Sequence, residues 1–84
     1  MNWQLAIQSN PDVMMGKPCF KGTRIPVELI LEKMGKGESF SSLLEAYPAL
    51  TEESIRAALL FAAESVKHHL IFSNASWSAY SLGR

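Results

Sequence analysis

Tyr47-Pro48-Ala49-Leu50-Thr51-Glu52-Glu53-Ser54-Ile55-Arg56-Ala57-Ala58 reads as the end of one helix, a turn and the start of another. Pro48 lacks an N–H and pushes Tyr47 out of helical geometry, so a helix stops there. Thr51 is a good N-cap, because its hydroxyl can accept from an orphan amide of the first turn. Glu52 and Glu53 then sit at the positive end of the helix dipole. Leu50, just ahead of the cap, can pack on Ile55 as a hydrophobic staple. The pattern predicts a helix over about 51–70. Two helices joined by Tyr47-Pro48-Ala49-Leu50 have the spacing of a helix-turn-helix.

Downstream, Ala57 through Ala63 are seven consecutive apolar residues. Ile55, Leu59, Ala62 and Val66 recur at helical spacing and are expected to face the preceding helices. A helix apolar most of the way round is buried on more than one side. In so short a chain the second side is expected to meet another copy, a partner or the N-terminal hairpin. Leu60 and Phe61 are the candidate residues for such a contact.

Upstream, Phe40, Leu43, Leu44 and Tyr47 form a stripe over about 40–47, with Ser39 as the N-cap. Val27, Ile30, Leu31 and Met34 fall at i, i+3, i+4 and i+7 and predict a helix over about 26–34. Pro26 suits its first turn, and Gly35 and Gly37 stop it.

Before the helices stands Gly16-Lys17-Pro18-Cys19-Phe20-Lys21-Gly22-Thr23-Arg24-Ile25-Pro26, with two glycines, two prolines and three of the eight basic residues. Gly22 can take a positive φ, so Lys21-Gly22 suits a tight turn. A hairpin is expected over 16–26, with its strands within 18–25. Asn10-Pro11-Asp12 marks an earlier turn, and residues 3–8 partly alternate and could form a strand.

These motifs together resemble a known family. Asn10-Pro11-Asp12, Gly16-Lys17-Pro18 and Lys21-Gly22-Thr23-Arg24-Ile25-Pro26-Val27 are followed by Gly37-Glu38-Ser39, Leu43-Leu44, Tyr47-Pro48, Leu50-Thr51 and Ile55-Arg56-Ala57-Ala58-Leu59. The combination resembles the bacterial and archaeal family named domain of unknown function 433, over roughly residues 5 to 66. The family more often has a glutamate at the position of Ser42, which would complete a capping box with Ser39. The resemblance implies a homeodomain-like helix-turn-helix; with the elements read above, the expected fold is a mainly α, three-helix homeodomain-like bundle preceded by a short strand and β-hairpin. The resemblance also implies an antitoxin paired with a PIN-like ribonuclease toxin.

The 84 residues allow one domain, expected over 1–72, and one small core; a homodimer sharing that core would be unsurprising. The formal net charge is zero, which argues against a strongly electrostatic nucleic-acid binder. Its distribution is uneven. Residues 1–27 carry Lys17, Lys21 and Arg24 against Asp12, whereas residues 28–64 carry seven glutamates against Lys33, Lys36 and Arg56. A basic face must therefore come from the hairpin. The lone Cys19 cannot form an internal disulfide and fits a reducing, cytoplasmic setting. No run approaches the roughly 20 apolar residues of a membrane span, and no signal-peptide pattern opens the chain. Residues 73–84 change character, with Trp77, Tyr80 and Leu82 set among serines.

Lys17, Lys21, Thr23 and Arg24 are the candidate nucleic-acid contacts of the hairpin, and Arg56 that of the third helix. The competing reading is structural: Arg24 pairs with Glu28, and Thr23 hydrogen-bonds the turn. Glu52 and Glu53 occupy positions that would face phosphates in a recognition helix, so the helix-turn-helix can also be purely architectural. Three cations are few beside the roughly six to ten phosphate contacts of many DNA binders, and a dimer would double them.

No arrangement suggests an enzyme, a cofactor or a metal. Adjacent His68 and His69 point about 100° apart on a helix and do not share one ion. No Cys/His spacing suits zinc, and the glycine-lysine pairs lack the order of a phosphate-binding loop. Trp77 and Tyr80 could anchor the C-terminal segment in a partner groove. The expected function is a non-enzymatic antitoxin that neutralises a PIN-like ribonuclease and regulates itself by weak DNA binding as a dimer. The alternatives are a stand-alone DNA-binding regulator and a structural dimerisation module.

Overall fold

The structure, a computed structural model, describes residues 2–68. Two short strands, β1 (Ile7–Gln8) and β2 (Cys19–Phe20), precede three helices, α1 (Val27–Gly35), α2 (Phe40–Ala46) and α3 (Glu52–Lys67). The protein is mainly helical, with an antiparallel strand pair near its N-terminus.

The expected hairpin over 16–26 is rearranged. β2 pairs with β1, Ile7 opposite Phe20 and Gln8 opposite Cys19. The return of the chain after Gly22 yields one bridge, Cys19 to Pro26, rather than a second strand. Phe20 N donates to Ile25 O at 3.1 Å and Val27 N to Pro18 O at 2.9 Å, so Cys19–Phe20 is held on both edges. Pro26 has no N–H to extend the ladder and instead caps α1 in extended geometry (φ −69°, ψ 140°). The strand expected over 3–8 is shortened for a similar local reason. Asn2 accepts from the Gln4 amide through Oδ1 at 3.0 Å and closes a 3-10 turn over Trp3–Leu5, leaving only Ile7–Gln8 extended.

Each helix end has a local cause. At the end of α1, Gly37 N donates to Met34 O (2.9 Å) and Glu38 N to Lys33 O (3.1 Å), with Gly37 at φ +101°. This is the Schellman pattern, which needs a left-handed residue that glycine adopts without a Cβ penalty. At the start of α2, Ser39 Oγ accepts from the Ser42 amide at 3.1 Å. The Ser42 hydroxyl turns to Glu38 (3.4 Å) instead of returning to the cap, so the reciprocal bond is missing. At α3, Thr51 Oγ1 accepts from Ser54 N and Ser54 Oγ from Thr51 N, a complete capping box.

The core gathers Ile7 and Phe20 from the strands, Val27 and Ile30 from α1, Leu43 from α2, and Ile55, Ala57 and Ala58 from α3. Leu50 and Ile55 are both buried there, as a staple requires. α3 differs from the expected stripe: Ile55 is buried, but Leu59 and Val66 are exposed. The cause is the N-terminal segment. The 3-10 turn packs on α3, with the Trp3 ring edge-on to Phe61 at 5.2 Å. That contact covers the Ala57–Phe61 side of the helix, and α1 and α2 cover the Ile55–Ala58 side. Leu59 falls outside both.

Candidate functional site

The cationic turn is built from its backbone outward. Phe20 O accepts from Thr23 N at 3.0 Å and closes a turn with Gly22 at φ +79°. The Thr23 hydroxyl donates to Phe20 O (2.8 Å) and accepts from Ile25 N (3.0 Å). Thr23 is half-buried and committed to the turn, as the structural reading expected. Its two neighbours in the basic set, Lys21 and Arg24, are exposed and flank this fixed point.

Lys17 stands at the other end of the segment and pairs with Glu28 of α1 through Nζ at 3.3 Å. The structural alternative gave Arg24 a helix-one carboxylate such as Glu28; Lys17 reaches Glu28 instead, because the Pro18–Val27 backbone bond draws the start of α1 against the entry to β2. Arg56 pairs with Glu52 one turn earlier at 3.4 Å, an exposed i,i+4 pair. Neither Lys21 nor Arg24 makes an ion pair among the described residues. Of the five candidate nucleic-acid residues, Lys21, Thr23 and Arg24 are together on one turn. Lys17 is tied to α1 and Arg56 lies on α3.

The partner candidates divide similarly. Leu60 is exposed, and Phe61 is half-buried against Trp3. Trp77 and Tyr80 lie outside the described residues, as does His69. His68 Nε2 is 3.0 Å from Glu64 Oε2 at the end of α3. Cys19 is a free, buried thiol in β2. Among the described residues no group of three or more His, Cys, Asp or Glu is placed to hold a metal. No helix there is long and apolar enough to cross a membrane.

One feature escaped the sequence reading. Met14, Met15 and Gly16 all have positive φ (50°, 56° and 83°), a left-handed turn between Val13 and Lys17. It is held by Gly16 N to Val13 O (3.0 Å) and Lys17 N to Met14 O (3.1 Å). Methionine has no preference for that region, and each such residue costs about 1–2 kcal/mol, so only glycine at position 16 was a signal.

Fold and surface together define a small three-helix protein with a strapped N-terminal strand pair and a cationic turn ahead of its first helix. Residues 7–62 match the family described as "Protein of unknown function (DUF433)", and the chain belongs to that family. An uncharacterized protein of Sinorhizobium fredii, y4eO, is 39% identical over 56 residues, which are 67% of this chain and 25% of that protein. The chain therefore spans about a quarter of the length of that curated relative. The crystal structure of a family member from Anabaena variabilis superposes with a TM-score of 0.71 at 33% identity. That match covers 76% of this chain and 63% of the other.

Proposed function

We propose that this protein is a non-enzymatic antitoxin that binds and neutralises a PIN-like ribonuclease toxin and regulates itself through weak DNA binding as a dimer. The observation that carries the nucleic-acid part is the turn at Lys21–Arg24. Thr23 fixes its backbone with two hydrogen bonds, while the cations on either side have no ion-pair partner among the described residues. A cation that spends no energy leaving an intramolecular partner is available to phosphate, and a fixed backbone lowers the entropy cost of the contact. The antitoxin part rests on the family resemblance, with Trp77 and Tyr80 of the C-terminal segment as the anchors for the toxin. α3 is acidic at its first turn, so in this reading it supports the fold and the turn meets the DNA.

The test is co-purification of the tagged full chain with the product of the neighbouring gene, followed by sizing and a ribonuclease assay. A stoichiometric complex with suppressed ribonuclease activity is the expected result. A chain that takes up no neighbour-encoded protein would remove the antitoxin reading. A salt-dependent DNA titration then decides for or against the second reading, a stand-alone DNA-binding regulator, which the short connection between α2 and α3 favours.

A further inference from the structure

Among the described residues, α3 leaves one apolar strip uncovered. Leu59, Leu60 and Val66 are 44%, 43% and 53% exposed, and Ala63 between them is exposed as well. Positions 52, 56, 59, 63 and 66 follow the alternating four- and three-residue spacing of a heptad seam, and 53, 60 and 67 flank it along one side. The flanking row reads Glu53, Leu60, Lys67: acidic in the first turn, apolar in the middle, basic in the last turn.

That row is complementary to itself in one direction only. In a parallel pair Glu53 would meet Glu53 and Lys67 would meet Lys67, two repulsions. In an antiparallel pair centred on Leu60, each Glu53 lies opposite the second copy's Lys67, and Leu60 meets its own counterpart on the two-fold axis. The same register sets Leu59 of one copy near Ala63 of the other, large against small, which lets the helices approach closely. Contact from residue 53 to 67 spans about 21 Å of helix. A self-complementary patch of this kind is what an isologous interface requires.

We propose that the occupant of this strip is a second copy of the chain, and that the protein is a homodimer closed by antiparallel packing of α3 on α3. The proposal specifies the dimer invoked under the functional reading above and depends on neither toxin nor DNA. Local chemistry supports it. Glu53 has no ion-pair partner among the described residues, and Lys67 has only a 4.0 Å approach to Glu64. Exposed Leu5 lines a shallow depression with Glu53 and extends the apolar surface at the end where the second copy's last turn would lie.

The experiment is light scattering on the full chain across a dilution series, with circular dichroism to confirm that each variant is folded. The wild type is expected to be dimeric and to dissociate on dilution. Leu60→Glu places two carboxylates face to face on the axis and is expected to give a folded monomer. Glu53→Lys is expected to weaken the dimer about tenfold, through two symmetry-related like-charge contacts. Glu53→Lys with Lys67→Glu is expected to restore it, an outcome that loss of fold cannot mimic. A wild type that is monomeric at every concentration overturns the proposal and assigns the strip to residues 69–84 or to a different protein. A dimer indifferent to Leu60→Glu, or one that the paired reversal fails to restore, also overturns it.

Discussion

The ring of Trp3 meets Phe61 edge-on, with centroids 5.2 Å apart and planes at 71°, and so fastens the N-terminal segment to the middle of α3. Two residues 58 positions apart thereby close the fold. Edge-on geometry sets the positive rim of one ring against the negative face of the other, worth about 0.5–1.5 kcal/mol beyond area burial. Because both rings are only half-buried, Trp3→Ala is expected to cost about 2 kcal/mol, below the usual range for a fully buried aromatic. For a domain of this size that lowers the melting temperature by roughly 8–16 °C. Trp3→Phe keeps a ring in place and is expected to lose less than half as much. Thermal unfolding followed by circular dichroism checks both; equal losses would mean that the ring contact contributes nothing.

Thr51 and Ser54 satisfy two amides reciprocally at the start of α3, at 3.1 and 3.3 Å. Thr51→Ala is expected to cost about 1 kcal/mol. Ser54→Glu places the longer acceptor of the usual capping box at the same position and adds a favourable charge at the helix N-terminus, so it should match or exceed the wild type. Urea titration reads both changes. A destabilising Ser54→Glu would show that the short serine side chain is needed for reasons other than capping.

The three helices were legible because their signals are local. Ser39, Thr51, Gly37 and Pro48 act through bonds within one or two turns, and the structure places a helix end at each. Most bounds moved by one residue, and α3 ends at Lys67 rather than near residue 70. The strands were less legible because pairing is not local. Ile7 finds Phe20 across a long connection, and nothing in residues 18–25 alone announces that Cys19–Phe20 prefers that partner. The buried face of α3 was misread for a related reason. A run of seven apolar residues has no unique stripe, so the face is chosen by what packs against it. Trp3 decided that from the other end of the chain. In the cationic turn, Thr23 and its two neighbours were legible together, but the choice of Lys17 over Arg24 by Glu28 depends on the backbone approach of α1.

The left-handed turn at Met14–Met15–Gly16 stores backbone strain in side-chain-bearing residues. Met15 is 94% exposed, so its side chain contributes little packing to offset that strain. Met15→Gly removes the Cβ clash, and its larger unfolded-state entropy offsets part of the gain. The net expectation is a stabilisation of about 0.5–1 kcal/mol, seen as a higher urea midpoint with an unchanged slope. A lower midpoint would mean that residue 15 is not held at positive φ.

Lys21, Arg24 and Thr23 share one turn but should respond to different measurements. Lys21→Ala and Arg24→Ala remove exposed side chains with no ion-pair partner among the described residues, so each is expected to change stability by less than about 0.5 kcal/mol. If the turn meets phosphate, each should weaken DNA binding evenly across sequences and lower the salt slope by about one. Thr23→Val keeps the shape of the side chain and deletes the hydroxyl that bridges Phe20 O and Ile25 N. It is expected to cost about 1–2 kcal/mol of stability, because a half-buried amide loses its acceptor. Its effect on the salt slope should be small, since no charge is removed. Should Lys21→Ala and Arg24→Ala together leave DNA affinity and salt slope unchanged, the turn is not the nucleic-acid contact, and Thr23 has only the structural role its hydrogen bonds describe.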